Sequence, residues 1–249
     1  ETGEPLAIMP DGVIQRMRVG ATSALGTHYL AQKDARTAAI IGSGWQAGAQ
    51  LMGLLAVRPE IDTVRVFSPN PVNVVSFCDQ VREQFSQDFC VVGSVAEAAK
   101  GADIVLCATS SIDSVFEPEY FEPGMHVGSI KPAEISRDSL EMADRVCVHL
   151  GHGKPALVQA DNLVVPDHSG GRGWEISDTF DFSSCVTLPD LISGSVSGRS
   201  ENDERTCFVN DLGLGLQFAV VAGVTLQLAE SAGIGQALPT ELFTQIEHP

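Results

Sequence analysis

The chain is poor in basic charge. Its 249 residues carry 15 Lys and Arg against 32 Asp and Glu, a formal net charge of -17. Only Lys33, Lys100, Lys131 and Lys154 are lysines. A surface of that sign repels a phosphate backbone and anionic lipid alike, so neither nucleic acid nor a membrane is an expected partner. Long hydrophobic runs are also missing. No stretch reaches the roughly 18 apolar residues of a spanning helix, and no charged start with an apolar core marks a signal peptide. Paired cysteines are absent too. Cys78, Cys90, Cys107, Cys147, Cys185 and Cys207 stand singly, mostly in apolar runs such as DIVLCAT and DRVCVHL. They read as small buried hydrophobes of a reducing, cytoplasmic protein.

Several chemistries are excluded in the same way. There is no G-x-S-x-G elbow and no P-loop. His149 and His152 make an H-x-x-H, but glycines flank it in HLGHGK and no third ligand is spaced nearby, so no metal is expected. His126, in MHVGSI, reads as a satisfied strand histidine, and Trp45 and Trp174 read as packing residues. There is no internal repeat and no low-complexity tract. The first residue is Glu1 rather than Met, which reads as a fragment or a processed chain.

What is present is alternation. The 44% hydrophobic content suffices for a large core. A helical pattern after Asp11-Gly12 runs through Leu25 and Leu30 and stops at AQKDAR. Then come TAAII, WQAGAQLMGLLAV, TVRVF, NVVSFCDQVREQF, FCVVG, SVAEAAK and ADIVLCAT, strand-length and helical runs in turn. This is the pattern of βαβ units, and it predicts an α/β fold: a Rossmann-type doubly wound parallel sheet with helices on both faces. MHVGSI and DRVCVHL extend the sheet, whereas Pro166 to Cys185 reads as a long loop. TLPDLISGSV reads as a short helix and RTCFV as a strand. GLGLQFAVVAGVTLQLAESAG is a helix apolar all round, which needs cover on every side. Residues 1–35 are expected to belong to a substrate and dimerisation domain, 36–190 to a dinucleotide-binding domain, and 191–249 to return to the first.

The segment IIGSGWQAG holds Gly42, Gly44 and Ala47 as G-x-G-x-x-A between a strand and a helix. There the first glycine makes the turn, the second lets a pyrophosphate approach the backbone, and the small third residue lets helix and strand pack. The end of the next strand, FSPNP, offers Ser68 and Asn70 where an acid would bind the ribose of NAD, so NADP(H) is weakly preferred. ATSS (Ala108 to Ser111) and GSIK (Gly128 to Lys131) put hydroxyls and an amine at further strand ends. The serines suit turns as well as ligands. Lys131 could hold a carboxylate or phosphate, or be solvated.

Together these stretches resemble the ornithine cyclodeaminase and mu-crystallin family. The likeness is collinear through DGVIQRMRVGATSALGTHYLA, IIGSGWQAG, VLCATSS, PGMHVGSIKPAEI and GRSENDERTCFVNDLGLGLQFAVV. It implies NAD(P)(H) chemistry on a small amino or imino acid. It places Arg18 at the arginine that grips the substrate carboxylate, although taken alone Arg18 reads as a helix-surface residue. Dinucleotide contacts are implied for Gly42, Ser43, Gly44, Trp45, Gln46, Ala47, Ser68, Asn70, Thr109, Ser110, Ser111 and Ser129. Asn210 and Gly213 are implied at the nicotinamide end.

Two departures matter. Cyclodeaminases carry a catalytic aspartate in a D-x-P-G-K-x-E-L segment, whereas this chain has SIKPAEISRDSL. Glu134 is the nearest acid, and it joins Lys131 and water as a candidate for proton transfer. The family's N-terminal region of several dozen residues is also not in this sequence. The resemblance thus implies an oxidoreductase acting on a small amino or imino acid. The alternatives are a cyclodeaminase releasing ammonia, or a non-catalytic NADP(H)-binding protein of the crystallin kind. The resemblance also implies a homodimer paired through the C-terminal helix region and the N-terminal region.

Overall fold

The computed structural model describes residues 5–150, 180–239, 241 and 243. The elements run in the order α1 (Asp11–Leu30), β1 (Thr37–Ile41), α2 (Trp45–Val57), β2 (Thr63–Phe67), α3 (Pro71–Arg82), β3 (Asp88–Val91), α4 (Val95–Ala99), β4 (Ile104–Cys107), β5 (His126–Ser129), α5 (Arg137–Met142), β6 (Arg145–Val148), β7 (Val186–Thr187), α6 (Leu188–Ser193), β8 (Thr206–Val209) and α7 (Gly215–Ala232). The long loop expected from Pro166 falls mostly outside the described residues. Its end forms a short 3-10 turn at Phe182–Ser184.

The contacts divide the chain into two units, Val19–Leu212 on one hand and Glu1–Arg18 with Gly213–Pro249 on the other. The larger unit is built on one sheet of 8 strands in the order β3-β2-β1-β4-β5-β8-β6-β7. Every pairing is parallel. The near-continuous apolar strands have this cause: both faces of the sheet are covered. Ala38 and Ile40 of β1 face α2 and α3, packing with Leu51, Leu54, Phe77 and Val81. Their neighbours Ala39 and Ile41 face the other way, among Ala98 and Ala99 of α4 and Leu140 of α5. Successive side chains of a strand point to opposite faces, so one five-residue strand serves both cores.

The helix starts are written locally. Asn70, Ser94, Ser136 and Thr187 accept backbone N–H bonds as N-caps of α3, α4, α5 and α6, and Pro71 occupies the first turn of α3. The C-terminal half of α1 lies close on α2. A Cβ on Gly53 would come within 2.6 Å of the Gly20 carbonyl oxygen. Arg58 caps the end of α1: its guanidinium donates to the carbonyls of Thr27 and His28 in the last turn and of Ala31 and Gln32 just beyond it. Burial lowers the pKa of that guanidinium, and a buried charge needs such partners.

In the smaller unit, α7 ends on Gly233 in the left-handed region (φ 64). Among its described residues α7 has no buried side chain. Leu216, Val220, Val224 and Leu228 form an exposed stripe at i, i+4 spacing, so the cover that its composition demands does not come from the described residues. The unit holds a cavity of about 740 Å³, lined among others by Ile8, Val13, Met17, Val221, Leu226 and Leu238.

The cysteines match their expected character. Cys78, Cys107, Cys147 and Cys207 are buried, Cys90 and Cys185 half-buried, and all six are free thiols. His126 is a satisfied strand histidine: Nδ1 lies 2.9 Å from Thr206 Oγ1 and Nε2 3.4 Å from Thr27 Oγ1. Thr206 gives its own proton to the Leu30 carbonyl, which assigns the imidazole proton to Nδ1. Burial, the largest cause, with the Arg199 and Arg58 charges, pushes the His126 pKa down to about 3.

Candidate active site

The strand order places the site. Leaving β1, the chain builds outward through β2 and β3, then crosses back to β4 on the other side of β1. At such a switch point the loops leaving adjacent strands diverge and open a crevice at their carboxyl ends. The loops after β1, β4, β5 and β8 carry Gly42–Gly44, Ala108–Ser111, Ile130–Lys131 and Asn210.

The two glycines differ in what they do. Gly42 has φ +119, and a Cβ there would run into the Ala108 carbonyl oxygen. It is required by the backbone turn and by the close approach of the β4 loop. Gly44 has an ordinary φ of -89, and a Cβ there would meet nothing within 4 Å. It is the N-cap of α2 and, having no side chain, supplies no cap of the kind that Asn70, Ser94, Ser136 and Thr187 give α3 to α6. A helix start with open space before it is suited to an anionic group. Ala47 is fully buried under the helix, as close packing requires.

Ser43 and Gln46 are half-buried at this turn. Trp45 is 58% exposed and is therefore not the packing residue its sequence suggested. Trp174 and His152 lie outside the described residues. At the end of β2, Ser68 is half-buried and Asn70 exposed. The Asn70 Oδ1 is engaged in capping α3, at 3.0 Å from Val72 N and 3.1 Å from Asn73 N, which leaves its Nδ2 outside the cap.

The loops after β4 and β5 are knitted together. The Glu134 carboxylate is fully buried and accepts from Thr109 N (2.6 Å), Thr109 Oγ1 (2.8 Å) and Ile130 N (3.0 Å). Burial pushes its pKa up, while the bonds from Thr109 and Ile130 and the Lys131 charge pull it down. Ser111 Oγ donates to the Asp113 carbonyl at 2.8 Å, and Ser110 is exposed. Lys131 is not solvated: it is buried, and its ammonium donates to the Ser111 carbonyl. Ser129 is 1% exposed, and its Oγ has no hydrogen-bond partner among the described residues. Buried hydroxyls are rarely left so, and one at a strand end in this crevice is suited to a bound ligand.

Asn210, at the end of β8, donates from Nδ2 to the Val19 carbonyl (3.4 Å) and Ser23 Oγ (3.3 Å) of α1. Its backbone N–H reaches the Ser129 carbonyl at 3.0 Å. His149 is held by its ring, with Nδ1 2.7 Å from the Leu212 carbonyl, an anchoring role that H-x-x-H spacing does not reveal.

In the smaller unit, Arg18 is no helix-surface residue, being 9% exposed. Its Nε and Nη2 donate to Gln15 Oε1 (3.0 and 2.7 Å) and its Nη1 to Gln217 Oε1 (3.5 Å). The guanidinium carbon lies 5.2 Å from the Phe218 ring centroid, and burial lowers its pKa. A Cβ on Gly213 would come within 2.8 Å of that guanidinium, so any side chain there would push the arginine's end from its place. Sequence reasoning missed Gln15 and Gln217, and also Gln50, a buried residue of α2 whose Nε2 has no partner among the described residues. An amide at Gln50, one turn beyond Gln46 inside the otherwise apolar helix WQAGAQLMGLLAV, was the available signal.

Comparison with known proteins decides the family. The family model described as the ornithine cyclodeaminase/mu-crystallin family matches residues 1–231. The chain belongs to the ornithine cyclodeaminase/mu-crystallin family. Among its relatives is a delta(1)-pyrroline-2-carboxylate reductase of Bacillus cereus, 30% identical over 243 residues, which cover 96% of this chain and 71% of that protein. The structure of the Thermococcus litoralis delta(1)-pyrroline-2-carboxylate reductase, in complex with NADH and L-proline, matches with a TM-score of 0.80. Its identity is 28%, over 95% of this chain and 71% of that one. An archaeal alanine dehydrogenase dimer with bound NAD matches with a TM-score of 0.73 at 26% identity, covering 96% of this chain and 71% of that chain. The sheet and flanking helices are those of this NAD-binding fold. Among the described residues, no helix is long and apolar enough to cross a membrane.

Proposed function

We propose that the chain is an NAD(P)-dependent oxidoreductase that reduces the C=N bond of a small cyclic imino acid, delta(1)-pyrroline-2-carboxylate being the model substrate. The observation that carries the reading is the glycine turn at the switch point, where Gly44 leaves open space before an α2 start that has no side-chain cap. In support, the Bacillus cereus relative is a reductase of this class of substrate, and the Thermococcus litoralis one is in complex with NADH and L-proline.

The residues fit a dinucleotide. Gly42, Ser43 and Gly44 with the first turn of α2 (Trp45, Gln46, Ala47) would take the pyrophosphate, Ser68 and Asn70 the adenosine ribose, and the Thr109–Ser111 backbone and Ser129 Oγ the nicotinamide half. Asn210 would flank that end. When bound, the nicotinamide supplies the hydride that reduces the imino carbon. Arg18 holds the substrate carboxylate, its fork preset by Gln15 and Gln217. The proton that completes the amine comes from Lys131 or from water, since Glu134 is enclosed by its three donors. A preference for NADP(H) rests on Ser68 and Asn70, where no carboxylate stands to repel a 2′-phosphate. The two structural relatives hold NADH and NAD, so titration with both reduced cofactors decides it.

We also propose a homodimer through the exposed α7 stripe. An apolar face of that extent calls for cover, and the archaeal alanine dehydrogenase is a dimer. The reaction is tested by following loss of reduced-nicotinamide absorbance with pyrroline-2-carboxylate. Turnover is expected. Tight cofactor binding without turnover on a panel of cyclic imines and ketimines would instead place the chain with non-catalytic binders. Ammonia release from ornithine would make it a cyclodeaminase.

A further inference from the structure

The sequence offers Glu134 as a stand-in for the missing catalytic aspartate; its surroundings point elsewhere. We propose that Glu134 is a positioning residue, a buried brace that fixes the loops after β4 and β5 in the cofactor-binding arrangement before any ligand arrives. The inference rests on the dinucleotide reading above.

One carboxylate oxygen, Oε1, takes both the N–H and the hydroxyl of Thr109, and the other, Oε2, takes the N–H of Ile130. Thr109 lies two residues beyond β4 and Ile130 directly after β5, so one side chain ties together the ends of two neighbouring strands. The backbone of the same residue is bound as well. Its carbonyl accepts from Val115 N (2.9 Å) and Phe116 N (3.0 Å), which anchors the far end of the β4 loop. Lys131 adds a parallel tie by donating to the Ser111 carbonyl. Gly42 packs against the Ala108 carbonyl, so the glycine turn leans on the loop that Glu134 holds. Three adjacent strand ends thus share one brace.

The same contacts argue against proton donation. Glu134 is 0% exposed, and all three of its partners are donors toward its oxygens. Protonating the carboxylate would remove the charge that strengthens these three bonds and so loosen the brace. Glutamine goes further, since one end of its amide is an NH₂ group that cannot accept.

Two measurements test the brace. In the cofactor-free wild type, amide hydrogen exchange at Thr109 and Ile130 should be slow, like that of the flanking strands. Exchange at the rate of an open loop would overturn the proposal without any variant. Then NADH affinity is measured by fluorescence for wild type, Glu134→Gln, Thr109→Val and the double variant. Each single change is expected to weaken NADH by about tenfold, the scale of one hydrogen bond to a charged group, and the double variant to be no worse than the weaker single, because both remove one tie. Glu134→Asp should recover little, being one methylene too short. If Glu134→Gln binds NADH like wild type but loses turnover together with one limb of its pH–rate profile, Glu134 is a proton donor and the brace is wrong. Failure of the wild type to bind NADH would sink the dinucleotide reading, and the brace that rests on it, a result distinct from loss in the variants alone.

Discussion

Gly42 and Gly44 lie two residues apart in one motif, yet replacing them should give opposite failures. In Gly42→Ala the new methyl must adopt φ +119 and enter the space of the Ala108 carbonyl oxygen. Backbone strain of about 1–3 kcal/mol adds to overpacking of about 1–3 kcal/mol, so the expected loss is about 2–6 kcal/mol. Against a typical domain stability of about 5–15 kcal/mol, that brings the fold near its limit. In Gly44→Val the new Cβ meets nothing within 4 Å among the described residues and φ is already -89. The cost is that of a poorer N-cap, about 1 kcal/mol or less. Its isopropyl group does occupy the approach to the α2 N-terminus, so reduced dinucleotide should bind at least about tenfold more weakly, or 1.4 kcal/mol. Urea unfolding gives the first quantity and nicotinamide fluorescence the second. A folded Gly44→Val protein with wild-type affinity would refute the phosphate site, and a Gly42→Ala protein of wild-type stability would refute the steric argument.

The His126 pKa, held near 3 in the fold against an ordinary 6.5, makes stability fall as pH drops. The unfolded chain takes up a proton that the folded chain refuses, so the contribution is whole above about 6.5 and is lost progressively down to about 3, by at most about 1.4 kcal/mol per pH unit. Urea unfolding at pH 7, 6 and 5 should show a shallower decline for His126→Gln than for wild type, and equal slopes would contradict it. Arg58→Met should cost about 3 kcal/mol or more by stripping the α1 carbonyls of a charged donor; calorimetry showing an unchanged melting temperature would count against that capping role. Val220→Glu with Val224→Glu, on the exposed α7 stripe, should convert a dimer to monomer in sedimentation equilibrium without unfolding the larger unit, whereas an unchanged mass would place the interface elsewhere.

Local sequence determined much of this molecule. The alternation of apolar runs was enough for a parallel sheet, because strands buried on both faces must be apolar throughout. TAAII and DIVLCAT show this directly. The glycine turn was legible for a similar reason: its requirements are backbone requirements, met within a few residues of chain. Asn70 before Pro71 and Thr187 before Asp190 set helix starts in the same local way, although in the sequence Asn70 reads as a ribose contact and not as a cap.

What only the tertiary structure decided involves residues far apart in the chain. The two glycines look equivalent in sequence and are separated in role by the Ala108 carbonyl, which arrives from another strand. The insertion of β8 between β5 and β6 brings Asn210 beside Ser129, and no local pattern encodes that order. Glu134 read as available for proton transfer and Lys131 as open to solvent until the β4 loop is laid over them, since an ionisable side chain takes its character from the donors and acceptors that surround it. Arg18 read alone as a surface residue because the Gln217 and Phe218 that enclose it come from α7, almost two hundred residues away. Spacing reports what a backbone can do locally; the partners of a buried charge are chosen by the fold.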